Sequence, residues 1–420
     1  MTQRTMLDNG IRVLAENVPG CHSVSLGVWV YNGSRHEPVA LNGISHFIEH
    51  MLFKGTDRRS AQSIAREVDS VGGLLNGFTS REFSCYFVKI LSEKLPMAVD
   101  LLGDMICHSR FSRDDIEKER RVILQEIAMI EDSPEDLIHD QFIHSFWAGH
   151  PLGMPVSGSQ TTVDKISRQQ MLTFMADRYV GANLCVVAAG CVDHEELVGL
   201  VEKAFGEMPE SGAKHEDLVP VVTRRVEVTR RDLEQTQVCL GVEGLPQNHP
   251  DRYGTYLLNT ILGGNMSSRL FQKIREQLGL AYSVYSYHHN HSDSGAFIIS
   301  AGVAAEEAPL VARTILDEMD RMRHETVTPE ELQSAKDFLK GSMLLAMEST
   351  DNRMTRLAKN ELFLRGVGTS LEESREMIDA VTAELIQGLA DRLFINETFN
   401  MQVAGRVDAA DFPDSDLQLG

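Results

Sequence analysis

Short apolar runs bounded by turn-forming residues alternate along this chain with longer segments whose apolar residues recur every three or four positions. Phe83-Ser84-Cys85-Tyr86-Phe87-Val88 is of the first kind and reads as a strand. Helical segments of roughly ten or more residues separate such strands, so an α+β architecture is expected. The pattern also repeats. Ser23-Val24-Ser25-Leu26-Gly27-Val28 is echoed by Gln237-Val238-Cys239-Leu240-Gly241-Val242. Ser92-Glu93-Lys94-Leu95-Pro96-Met97 is echoed by Ala305-Glu306-Glu307-Ala308-Pro309-Leu310, each opening a helix with Pro in its first turn. Ser112-Arg113-Asp114-Asp115-Ile116 is echoed by Thr328-Pro329-Glu330-Glu331-Leu332, each patterned as a capping box. Three echoes in one order at nearly constant offset imply an internal duplication. Two structurally similar domains are expected, residues 1–212 and 213–420, each a mainly antiparallel sheet packed with helices. The boundary falls in the turn-rich stretch Pro209-Glu210-Ser211-Gly212-Ala213-Lys214, ahead of the strand of Val226 and Val228.

Composition adds limits. A chain of 420 residues exceeds what one hydrophobic core organises, in keeping with two domains. The formal charge of -21, from 61 acidic against 40 basic residues, argues against a nucleic-acid surface and matches basic substrates better. No continuous apolar run is long enough to cross a bilayer. The first residues, Met1-Thr2-Gln3-Arg4-Thr5, run into a strand-like segment without the apolar stretch of a signal peptide. Six scattered cysteines show neither a disulfide framework nor CxxC spacing, so a reducing cytoplasm is the expected location.

The chemistry concentrates in His46-Phe47-Ile48-Glu49-His50. On a helix, residues three and four apart share a face, so His46, Glu49 and His50 project together. Ile44, Phe47, Ile48, Met51, Leu52 and Phe53 surround them, too apolar a setting for ionisable groups without partners. A metal ion supplies that partner, and catalytic zinc takes three protein ligands. The helix from Asp114 to about Glu131 carries Ile116, Glu119, Ile123, Glu126, Ile127 and Ile130 at helical spacing, which sets two carboxylates within its apolar stripe. Spacing does not separate the roles of Glu119 and Glu126. The order HxxEH is the reverse of the HExxH metallopeptidase signature.

With these features the chain resembles the pitrilysin family of zinc peptidases, and among them bacterial members similar to mitochondrial processing peptidase. The resemblance covers nearly the whole chain, through Gly43-Ile44-Ser45-His46-Phe47-Ile48-Glu49-His50-Met51-Leu52-Phe53-Lys54-Gly55-Thr56, Gly72-Gly73-Leu74-Leu75-Asn76-Gly77-Phe78-Thr79-Ser80-Arg81-Glu82 and Gly263-Gly264-Asn265-Met266-Ser267-Ser268-Arg269-Leu270-Phe271. It implies one Zn2+ per chain on His46, His50 and Glu126, with Glu49 as general base and Glu119 supporting the site without binding the ion. It further implies that Leu74, Leu75, Asn76, Gly77, Phe78 and Thr79 form an edge strand to which an extended peptide adds. Gly77 stands where an alanine is more usual in the family. Arg275 and Tyr282 match the arginine and tyrosine that contact substrate and the reacting carbonyl, while Ala335 and Ser342 occupy the second-half places of Glu119 and Glu126.

The implied function is that of a zinc metalloendopeptidase acting on unfolded peptides or flexible segments. A homodimer is expected, each site completed by the other subunit, because one chain holds both the zinc set and the Arg/Tyr pair. Glu131, Asp132, Glu135, Asp136 and Asp140 suggest basic residues near the cut. Relatives include non-catalytic peptide-binding or scaffold subunits, which typically lose metal ligands that this chain keeps. A zinc hydrolase of small molecules is the third reading, and the edge strand speaks against it. Gly263-Gly264 lacks the Lys-Ser/Thr ending of a phosphate loop, and His288, His289 and His291 read as a polar loop.

Overall fold

The computed structural model describes residues 2–212, 218–364 and 368–420, so Ala213 and Lys214 of the expected boundary lie outside the described residues. Eleven strands form two sheets among them. The first contains β1 (Thr2–Met6), β2 (Arg12–Asn17), β3 (Ser23–Val30), β4 (Leu74–Thr79), β5 (Ser84–Leu91) and β6 (Leu184–Gly190), in the order β1-β2-β6-β3-β5-β4. The second contains β7 (Arg225–Arg230), β8 (Thr236–Glu243), β9 (Ala281–Asn290), β10 (Gly295–Val303) and β11 (Asn400–Gly405), in the order β7-β11-β8-β10-β9. Without β1, the two orders match strand for strand. Each sheet has one parallel pair, β2 with β6 and β7 with β11, and is otherwise antiparallel. The expected α+β duplication is therefore present.

The echoed segments occupy equivalent places. Ser23–Val28 and Gln237–Val242 lie in β3 and β8, the interior strands, whose side chains are buried on both faces and so read as continuous apolar runs. Pro96 and Pro309 sit in the first turns of helices Leu95–His108 and Ala308–His324. Ser112 Oγ accepts the Asp115 N–H at 3.2 Å, and Thr328 Oγ1 accepts the Glu331 N–H at 3.2 Å, starting helices Arg113–Asp132 and Pro329–Ala346. The strand expected at Phe83–Val88 is β5, with Phe83 just outside it. His288 and His289 lie within β9 rather than in a loop. Burial against helix Arg252–Leu262 places His288 Nε2 3.0 Å from the Thr255 carbonyl.

Two compact units result, Met1–Ala128 with Met154–Asp217 and Leu345–Gly368, and Met129–Gly153 with Leu218–Leu344 and Thr369–Gly420. Helix Thr350–Leu364 belongs to the first unit, where it covers β6, β3 and β2. Its Met354, Leu357, Ala358 and Phe363 close an apolar layer with Trp29, Phe83, Cys85 and Val187. Asp351 accepts bonds from Ser25 Oγ at 2.5 Å and Lys89 Nζ at 2.9 Å. In the second unit helix Pro134–Phe146 covers β11 and β8 in the same manner, through Ile138, Phe142 and Phe146. A cut at 212/213 would separate each of these helices from the sheet it covers, which the linear pattern of apolar residues does not announce.

Candidate metal centre

Helix Ile44–Leu52 buries Ile44, Phe47, Ile48, Met51 and Leu52 in the core of the first unit. That leaves His46, Glu49 and His50 on the opposite, partly open face, as helical periodicity requires. Helix Arg113–Asp132 packs Ile116, Ile123 and Ile127 into the same core and brings two carboxylates to the histidines. Glu119 lies within the buried stripe, with 8% of its side chain exposed; Glu126 lies at its margin, with 40% exposed. This exposure separates the two glutamates, which spacing along the stripe leaves equivalent.

Glu126 Oε2 stands 3.7 Å from His46 Nε2 and 3.5 Å from His50 Nε2. His46, His50 and Glu126 each offer a ligand atom, and these atoms lie within 4.8 Å of one another. Tetrahedral zinc with bonds of about 2.0–2.1 Å would set its ligand atoms about 3.3 Å apart, so the donor set fits such an ion with little adjustment. On the far side of its ring, His50 Nδ1 lies 3.2 Å from Glu119 Oε2, which also accepts from Lys54 through Oε1 at 2.8 Å. A proton on Nδ1 facing that carboxylate leaves the Nε2 lone pair for a metal, the usual carboxylate–histidine arrangement behind a metal ligand. Burial, assisted by the neighbouring His50, pushes the His46 pKa down to about 4, so its imidazole is neutral and free to ligate near pH 7.

Glu49 does not join this triad. Its Oε2 accepts a 2.6 Å bond from Thr79 Oγ1. Burial raises its pKa, while the Thr79 bond pulls the other way. A carboxylate with a raised pKa beside a metal-ligand set is suited to accept and return a proton near neutral pH. Thr79 ends β4, which among the described residues pairs with β5 alone and forms the sheet edge. Along β4, Leu74 and Phe78 are exposed. Asn76 Oδ1 accepts the N–H of Gly77 at 2.8 Å. A Cβ at Gly77 would stand 3.1 Å from the Phe53 ring and 3.2 Å from the Cys85 carbonyl, so this glycine goes with an aromatic ring filling the space behind the strand.

Comparisons with known proteins match these parts. Residues 12–160, which hold every residue of the metal centre, match the family model described as Insulinase (Peptidase family M16), and residues 165–339 match Peptidase M16 inactive domain. The uncharacterized zinc protease YmxG of Bacillus subtilis (strain 168) is 39% identical over 397 residues, which cover 94% of this chain and 97% of that protein. This chain belongs to peptidase family M16. The crystal structure of a protease from Helicobacter pylori superimposes with a TM-score of 0.90 at 21% identity, over 96% of this chain and 99% of that one. The peptidase M16 inactive domain from Pseudomonas fluorescens does so at 0.90 and 20% identity, over 97% and 98%. These two likenesses bear on the fold alone.

In this M16 chain Arg275 and Tyr282 lie in the second unit and are brought together with each other. Arg275 sits on the helical segment Phe271–Gln277, whose bonding is of π type, as the bond from Leu278 N–H to the Lys273 carbonyl shows. Gly279 turns the chain at φ +66° into β9, at whose start Tyr282 is 77% exposed. The guanidinium lies 4.8 Å from the Phe271 ring and 5.0 Å from the Tyr282 ring, a cation–π stack at an open sheet edge. Sequence reasoning missed Lys54 as the partner of Glu119, although it follows His50 by four residues. It also did not foresee the bond from Thr79 to Glu49.

Proposed function

We propose that this M16 chain is a zinc-dependent endopeptidase that cleaves unfolded peptides or flexible segments. The observation that carries the reading is the convergence of His46, His50 and Glu126 beside a carboxylate outside that set, Glu49. Zinc held there supplies the Lewis acidity that makes water a nucleophile at neutral pH. Glu49 takes the proton of the attacking water and returns it to the departing amine, so that water and one peptide bond become a carboxylate and an ammonium group. Glu119 and Lys54 hold the His50 ring in register. The open edge of β4 takes an extended peptide by main-chain bonding, which demands little of its sequence. A second copy of the chain contributes its Arg275 and Tyr282, whose donors stabilise the oxyanion as it forms.

A preference for basic residues near the cut rests on the acidic run. Part of that run has local work: Glu135 and Asp136 occupy the first turn of helix Pro134–Phe146, where acids offset the helix dipole, and Tyr285 donates to Glu135 at 3.1 Å. Glu131 and Asp132 remain exposed. Equal cleavage of basic and neutral peptide libraries would remove the preference. For the reaction itself, Glu49→Gln is expected to retain zinc and to cut an unfolded peptide about 10^2–10^4-fold more slowly. Undiminished turnover by that variant would sink the assignment, and loss of its zinc would make Glu49 a ligand.

A further inference from the structure

The helix that presents His46, Glu49 and His50 starts without a cap of its own. Its N-cap residue is Gly43, held at φ +93° with no side chain to accept the free amides of the first turn. Glycine is required there. A Cβ would stand 2.7 Å from the Ser157 carbonyl, and the backbone is in the left-handed region. The missing acceptor comes from upstream. Glu37 Oε2 accepts the Gly43 N–H at 2.7 Å and the Asn42 Nδ2–H at 3.0 Å, while Oε1 accepts the Ser45 N–H at 2.8 Å. Asn42 Nδ2 also bonds the Pro155 carbonyl at 3.0 Å, tying the carboxylate to the 155–158 segment that presses on Gly43.

We infer that Glu37 is a positioning residue of the metal centre: a borrowed N-cap that fixes the first turn of helix Ile44–Leu52, and through it the direction in which His46 is offered to the ion. His46 follows Ser45, whose amide Glu37 holds, so a loosened first turn moves a ligand rather than a distant loop. The carboxylate is 5% exposed, and burial pushes its pKa up to about 7 against the pull of its hydrogen bonds with Ser45, Gly43 and Asn42. A buried carboxylate kept at such cost is one whose two acceptor oxygens are needed. An amide of the same shape keeps one acceptor but turns an NH2 toward a backbone N–H, so one end of the cap becomes a clash of donors.

The inference rests on reading His46, His50 and Glu126 as a zinc site, and the test separates the two. Zinc dissociation constants by chelator competition would be measured for wild type, Glu37→Gln and Ile11→Val, with metal-free melting temperatures and amide exchange over residues 43–47. Ile11 is fully buried in the same core and takes no part in the hydrogen bonds of this cap, so its truncation is expected to lower stability and leave those bonds in place. Glu37→Gln is expected to bind Zn2+ about 10–100-fold more weakly, as loss of an outer-shell partner does, with faster exchange at Ser45. Ile11→Val is expected to bind as wild type does, even at a lowered melting temperature. Zinc affinity of Glu37→Gln within about twofold of wild type, or an equal loss in Ile11→Val, would overturn the inference. If wild type itself binds no zinc, the reading of the site fails, and exchange at Ser45 alone decides whether Glu37 is the cap.

Discussion

Counting from their caps, Ser112 and Thr328, the helices Arg113–Asp132 and Pro329–Ala346 place Glu119 opposite Ala335 and Glu126 opposite Ser342. Both helices follow equivalent strands in sheets of the same order. In the first unit the helix buries Ile116, Glu119, Ile123 and Ile127, and its carboxylates meet two histidines; in the second only Ala335 and Lys336 are buried. The equivalent of helix Ile44–Leu52, helix Arg252–Leu262, carries no HxxEH. Among the described residues, one scaffold thus brings together a candidate metal-ligand set in one copy and none in the other. The difference lies in a few polar side chains, not in the strands or caps that hold them. Duplication preserved what builds the sheet and let the chemistry diverge.

The sharpest way to break this comparison is to alter both helices in parallel. Glu126→Ala removes a ligand and is expected to weaken zinc binding more than about 100-fold, beyond the loss an outer-shell change produces. Ser342→Ala is expected to leave it unchanged, both read by chelator competition. Glu119→Gln should cost less, about 10–100-fold, because it removes the negative charge facing His50 Nδ1 and Lys54 but no ligand. An equal loss from Glu119→Gln and Glu126→Ala would show that the two carboxylates share one role.

A smaller effect concerns acid. His46 has its pKa lowered from 6.5 to about 4 on folding, so between those values the unfolded chain binds more protons than the native one. Metal-free stability should therefore fall as the pH drops from about 6.5 to 4, by at most about 3 kcal/mol from this group. Denaturant unfolding of wild type and His46→Asn across that range measures it as a difference. Parallel curves would mean that His46 titrates normally in the folded protein.

The duplication and the shared face of His46, Glu49 and His50 were legible because each depends on local spacing. Alternation marks strands, Pro and capping residues mark helix starts, and i, i+3, i+4 spacing sets His46, Glu49 and His50 on one face. The exchange of helices Pro134–Phe146 and Thr350–Leu364 between units was not, since an amphipathic stripe states that a sheet is covered and not which one. The separation of Glu119 from Glu126 was legible only by resemblance, because both sit near one stripe and a tilt of the helix decides which is buried. Glu37 left no readable signal, as its partners are the backbone amides of Gly43 and Ser45 and the side-chain amide of Asn42.

The central claim is that the first unit holds a zinc ion that the reaction requires. Metal analysis of the purified chain, followed by peptide cleavage after chelation and after zinc is returned, tests it most directly. The account predicts one zinc per chain, loss of cleavage on chelation and its recovery with Zn2+. A chain that cuts peptides equally well without metal, or that holds no zinc at all, would contradict it.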